Sequence, residues 1–159
     1  MSFTTSNGTR GARQPRGRLL RLLNAVMTGR IRKGGKLLGG TDGLVLITIG
    51  RKSGDRRSTP LVWFPGGSGS RLIVASAAGA ARNPAWYYNL AAHPDRAQVA
   101  IGGRTIPVTA AQLHGEERET AWRAITAAST RFIKYQQQTD RELPVIRLTE
   151  RATGASVAD

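Results

Sequence analysis

Leu44-Val45-Leu46-Ile47-Thr48-Ile49-Gly50-Arg51-Lys52-Ser53-Gly54-Asp55-Arg56-Arg57-Ser58-Thr59-Pro60-Leu61-Val62-Trp63-Phe64 carries two strand signals around one loop. Leu44–Ile49 is an apolar run, which suggests a strand buried on both faces. Ser58–Phe64 reads as its partner. The loop between them is bracketed by Gly50 and Gly54 and holds four cations, Arg51, Lys52, Arg56 and Arg57, against one acid, Asp55. Both glycines are expected at positive φ, where the backbone turns and approaches a ligand closely. Arg51, Lys52 and Arg57 supply donors matched to phosphate or carboxylate oxygens. The loop therefore reads either as an anion-binding device or as a solvated basic turn. It is not a Walker-type phosphate loop, because the Gly-x-x-x-x-Gly-Lys spacing and the following helix are missing.

Downstream the chain reads mainly as strands. Pro65–Ser70 is turn-rich, and Arg71–Ser76 is a third strand. Asn83-Pro84 is expected to open a helix, with Asn as cap and Pro at the first position, running through Trp86 to about Ala92. Ala97–Ile101 and Arg104–Ala110 flank Gly102-Gly103, a two-residue hairpin signal. Glu116–Ala128 is a helix with acids in its first turn, and Val145–Leu148 is a last short strand. About six mostly antiparallel strands with flanking helices point to an α+β domain whose sheet closes on itself.

Upstream, Leu19, Leu20, Leu22, Leu23, Val26, Met27 and Ile31 share one half of a helical wheel, opposite Arg18, Arg21, Asn24, Thr28 and Arg32. This is a basic amphipathic helix. The expected organisation is a disordered basic arm at 1–14, the helix and its linker at 15–36, a folded domain at 40–150 and a disordered tail at 151–159.

The chain of 159 residues has a net charge of +14, and nine of its cations precede the first acid, Asp42. Such a charge calls for an anionic partner. With no cysteine, disulfides, thiolate nucleophiles and cysteine-ligated metals are excluded. Two histidines, His93 and His114, are too few for a multi-histidine metal site, so no metal is expected. Neither sits near a nucleophile in sequence, and Glu116, Glu117 and Glu119 fit a solvated helix start. With so few acid–base groups, a bound cofactor is the economical source of chemistry. The helix start near Asn83 offers backbone N–H groups to a ligand, and Trp86-Tyr87-Tyr88 offers a surface for a flat heterocycle. The plainer reading of Trp86 and Leu90 is docking of the helix on the sheet. A further cluster is Phe132, Tyr135, Thr139 and Asp140.

Taken together, Thr48–Gly54, Arg57–Leu61, Ala75-Ser76, Asn83–Leu90, Tyr135-Gln136, Thr139–Arg141 and Pro144-Val145 resemble the deazaflavin-dependent nitroreductase family, in the family's order. These are actinobacterial split β-barrel enzymes that use coenzyme F-420. The resemblance implies that Arg51, Lys52 and Arg57 grip the cofactor's phosphate and polyglutamate tail. Gly50, Ser53, Gly54, Thr59, Pro60 and Leu61 would line the deazaflavin. Ala75, Ser76, Ala85, Trp86, Tyr87, Tyr88 and Asn89 would close the other side. Val62, Phe132 and Tyr135 would face the substrate, with Tyr135 positioning it or donating a proton. The implied reaction is hydride transfer to a quinone above all, or to a nitro compound or activated alkene. The chain departs from the family at Ala77, where a lysine is common, and at Val62, Ser129 and Phe132, where tyrosines are common. The rival readings are FMN in the same barrel and a non-catalytic cofactor- or polyanion-binding protein. A cytoplasmic location is expected, with residues 15–33 against an anionic membrane surface and a homodimer as the assembly.

Overall fold

A computed structural model describes residues 2–13, 17–33 and 43–152. The central hairpin is present as expected. Strand β1 (Gly43–Ile49) pairs antiparallel with β2 (Arg56–Val62), with Ile47 opposite Ser58 and Leu46 opposite Thr59. The remaining strands are β3 (Phe64–Pro65), β4 (Arg71–Val74), β5 (Ala97–Ile101), β6 (Arg104–Gln112) and β7 (Val145–Glu150). They form one antiparallel sheet in the order β2-β1-β5-β6-β7-β4-β3, curled into a half-barrel with β2 and β3 at its edges. The described residues thus hold seven strands, one more than the sequence pattern suggests, because Trp63 interrupts the second run and leaves Phe64–Pro65 to pair with β4.

The double burial expected of β1 follows from two layers. Leu44 and Leu46 face the barrel interior with Ile73, Val99, Ile106, Val108, Ile146 and Leu148. Val45 and Ile47 face outward beneath Ile31. Ile31 belongs to helix α1 (Arg18–Arg32), which also buries Met27 and packs on β1, β2 and β5. The β5–β6 turn uses Gly102 and Gly103 at φ 58° and 77°, the left-handed pair that a tight hairpin requires.

Helix α2 (Ala85–Ala92) caps the barrel interior through Trp86, Tyr87 and Leu90. Its N-cap is Pro84, and no side chain caps it. The expected capping role of Asn83 is corrected. Its amide instead donates to the Thr5 carbonyl (3.0 Å) and accepts from Arg141 (2.7 Å). Helices α3 (Gly115–Ala128) and α4 (Arg131–Gln138) cover the outer face near β4 and β7. Helix α4 has no counterpart in the sequence reading, since its eight residues give too short a periodic signal.

The expected disorder of residues 1–14 is also corrected, for residues 2–13. Phe3 is buried in the barrel core, its ring 5.4 Å from that of Tyr87. The arm's backbone is tied down along its length. The N–H groups of Thr4 and Thr5 donate to Gln112 Oε1 and Tyr87 Oη, that of Gly8 to Ala81 O, and that of Ala12 to Gly79 O. A polar, glycine-containing segment is ordered here because the barrel supplies its partners. Residues 14–16, 34–42 and 153–159 lie outside the described residues. With them lie the expected helix start at Pro15, the glycine linker and most of the tail.

Candidate functional site

The site is built on the loop between β1 and β2. Gly50 N–H donates to Asp55 O (2.7 Å), and Gly54 N–H donates to Gly50 O (2.8 Å), closing a tight turn. Gly54 sits at φ 75°, as expected. Gly50 is not at positive φ. Its lack of a side chain matters for space, because a Cβ there would meet Ser53 Oγ at 2.7 Å and the Asp55 carbonyl at 3.3 Å.

Asn89 on α2 fixes this loop against the barrel. Its Oδ1 accepts from Arg51 N–H (3.1 Å), and its Nδ2 donates to Thr48 Oγ1 (3.2 Å). The Arg51 guanidinium lies over the Tyr88 ring, 4.8 Å from its centroid. Between loop, edge strand and helix opens a cavity of about 710 Å³, lined by Gly50, Arg51, Lys52, Ser53, Arg56, Arg57, Ser58, Thr59, Ala85, Trp86 and Asn89. Its rim, residues 51–58, is exposed. No ion pair among the described residues involves Arg51, Lys52, Arg56 or Arg57. The cavity lining contains no carboxylate, imidazole or phenol.

The structure thus brings together Gly50, Arg51, Lys52, Ser53, Arg57, Thr59, Ala85, Trp86 and Asn89 from the expected set, and adds Arg56 and Ser58. Those two were missed because a strand shows both faces to a ligand only at a sheet edge. Gly54, Pro60, Leu61, Tyr88 and Val62 lie nearby without lining the cavity. Trp86 serves both of its expected roles, since it is part of the barrel core and also a wall of the cavity.

Other expected contacts fall elsewhere. Tyr87 is buried and does not offer its ring to the cavity. Its hydroxyl donates to Gln112 Oε1 (2.6 Å), and burial raises the phenol above its usual pKa. Ala75 and Ser76 present their carbonyls to Arg141 (2.9 and 3.0 Å). Phe132 and Tyr135 pack with Phe64 in the outer cluster, at ring separations of 5.7 Å, away from the cavity lining. Thr139 and Asp140 hold the N-terminal arm. Thr139 Oγ1 donates to Arg10 O (2.7 Å), and Asp140 accepts from the N–H groups of Thr9 (2.8 Å) and Arg10 (3.0 Å).

Sequence reasoning missed the role of Arg141. It is 2% exposed and donates to the carbonyls of Ala75, Ser76 and Ala80 and to Asn83 Oδ1. No carboxylate pairs with it among the described residues, and burial lowers its pKa. It clamps the 75–83 segment, including Ala77 and Ala78 at φ 46° and 53°, and so sets the start of α2 beside the cavity.

A half-barrel with a cationic, aromatic-walled cavity, whose lining holds no carboxylate, imidazole or phenol, suits a flat anionic ligand. Comparison with known proteins gives the family. The model of the F420H(2)-dependent quinone reductase family matches residues 19–150, and the chain belongs to that family. An F420H(2)-dependent quinone reductase of Mycobacterium tuberculosis is 36% identical over 137 residues, covering 84% of this chain and 91% of the relative. Among solved structures, an F420-H2 dependent reductase is 36% identical with a TM-score of 0.60, covering 67% of this chain and 92% of its own. Another, described as a domain-swapped dimer, is 31% identical with a TM-score of 0.63, covering 82% and 96%. The chain is therefore an oxidoreductase of the split-barrel fold with coenzyme F-420 as its cofactor.

Proposed function

We propose that this chain passes hydride from reduced coenzyme F-420 to a quinone, with the Gly50–Arg57 cavity as the cofactor's seat. The observation that carries the reading is that four cations with no ion pair among the described residues share one cavity with the Trp86 wall. Arg51, Lys52, Arg56 and Arg57 suit the cofactor's phosphate, and the Gly50 backbone allows close approach. Ser53, Thr59, Ala85, Trp86 and Asn89 would line the ring system. When bound, the reduced cofactor supplies the hydride. The residues around it bind, orient and screen it, since the cavity lining contributes no strong general acid or base. Protons for the reduced quinone then come from solvent at the exposed rim. Nitro compounds and activated alkenes accept hydride by the same chemistry and are slower candidate substrates.

Anaerobic mixing of reduced F-420 with a soluble naphthoquinone, a nitroaromatic and an enone tests this. The expected result is cofactor oxidation fastest with the quinone. A rate no higher than in buffer for every acceptor contradicts it.

The same reading extends to assembly and place. The relative described as a domain-swapped dimer supports a homodimer, checked by a sedimentation mass of twice 17.1 kDa. No helix among the described residues is long and apolar enough to cross a membrane. Helix α1 nevertheless exposes Leu19, Leu22, Leu23 and Val26 beside Arg18, Arg30 and Arg32. We infer that this face rests on the anionic inner leaflet, where a lipid-soluble quinone resides and each nearby cation adds about 1 kcal/mol. Vesicle co-sedimentation should weaken in Leu19→Gln/Leu22→Gln, and unchanged binding contradicts the inference. Deleting the N-terminus is a poor test, because Phe3 belongs to the barrel core.

A further inference from the structure

A second cavity, of about 430 Å³, lies between α1 and β2 and is lined by Arg21, Asn24, Ala25, Thr28 and Ser58. Ser58 also lines the first cavity, so the two meet at that residue. The geometry of β2 explains how. It is an edge strand, paired only with β1 among the described strands. Ser58 stands opposite Ile47 and shares its outer face, under α1, whereas Arg57 and Thr59 stand opposite Thr48 and Leu46 on the inner face. The first cavity takes residues from both faces and so wraps the sheet edge. The second continues from it beneath the helix.

The helix face over this groove is the polar side of α1. Arg21, Asn24 and Thr28 are spaced three and four residues apart and share one side of α1. They offer a guanidinium, an amide and a hydroxyl. No acid occurs before Asp42, and no ion pair among the described residues uses Arg21.

We propose that this groove is a second anion subsite, which takes a flexible chain of amide-linked carboxylates extending from a ligand seated in the first cavity. On the reading under Proposed function, that chain is the cofactor's polyglutamate tail. Arg21 pairs with a tail carboxylate, and Asn24 and Thr28 hydrogen-bond its amides. The tail leaves the barrel around the β2 edge at Ser58. Helix α1 is then part of the cofactor site as well as a cover for β1.

The test is a fluorescence titration with two probes, oxidised F-420 carrying its polyglutamate tail and the same deazaflavin ending at its phosphate. Each is titrated into wild type, Arg21→Gln and Arg123→Gln, the last removing an exposed cation on α3. Arg21 is exposed, so its replacement leaves the fold intact. The expected result is that Arg21→Gln weakens the tailed probe by roughly three- to five-fold, the scale of an exposed ion pair. The tail-less probe should bind both proteins equally, and Arg123→Gln should match wild type. High salt should erase the difference. Equal affinities of wild type and Arg21→Gln for the tailed probe overturn the subsite while leaving the first cavity's role standing. Binding of neither probe by wild type overturns both.

Discussion

Asn89 joins three parts of the site with one amide. It accepts from the Arg51 backbone and donates to Thr48, so α2, β1 and the cationic loop move together. It is 8% exposed, so its loss leaves the Thr48 hydroxyl without its buried partner and frees the loop. Asn89→Ala is expected to lower unfolding free energy by roughly 1–3 kcal/mol. It should also weaken F-420 binding, because Arg51 is no longer held. Chemical denaturation and cofactor titration read the two effects, and wild-type values in both contradict the role. The sequence pointed to Asn89 only through the family resemblance, since a helix asparagine has many ordinary uses. Gly50 was legible as special but for an incomplete reason, because a missing Cβ for space and a positive φ look alike in sequence. Arg141 was not legible. Apart from Asn83 Oδ1, its partners are carbonyls of residues 75–80, and backbone acceptors leave no mark on a sequence.

Among the elements, the strands were the most readable. The apolar run of β1, the Gly102-Gly103 turn and the alternation of β6 each have a local cause. The N-terminal arm was the least readable, because its order comes from groups 67 to 131 residues away. Asp140 is the main anchor. It accepts hydrogen bonds from the Thr9 hydroxyl and from two arm amides, which pull its pKa from 3.8 down to about 2. A carboxylate with a depressed pKa contributes its stabilisation above its unfolded value and loses it as the pH falls through the folded one. The amides of Thr9 and Arg10 should therefore be protected from hydrogen exchange above pH 3.8 and lose protection toward pH 2. In Asp140→Ala they should exchange fast at neutral pH, and retained protection there contradicts the anchor. Helix α1 was legible as amphipathic, but not how it is used. Met27 and Ile31 face the sheet, Leu19, Leu22 and Leu23 stay exposed, and Arg21 turns to a groove.

The charge of +14 reads directly from the sequence and demands an anionic partner, but says nothing about its shape. The fold supplies the shape, because curling the sheet leaves β2 as an open edge with a cationic loop at its end. The order of strands around the half-barrel was not legible, since β7, last in the chain, sits between β6 and β4, and such long-range pairings have no local signal. The placement of Phe132 and Tyr135, expected to face the substrate, was not legible for the same reason, since α4 packs them in the outer cluster and not in the cavity lining.

The central claim is that the Gly50–Arg57 cavity holds the deazaflavin cofactor. Fluorescence titration of oxidised F-420 into wild type and into Lys52→Ala/Arg57→Ala tests it most directly. The account predicts saturable binding by wild type and an affinity lower by about tenfold or more in the double variant, or at least roughly 1.4 kcal/mol. Unfolding should be unchanged, since both side chains are exposed. Equal affinity in the two proteins would place the cofactor somewhere else on the molecule.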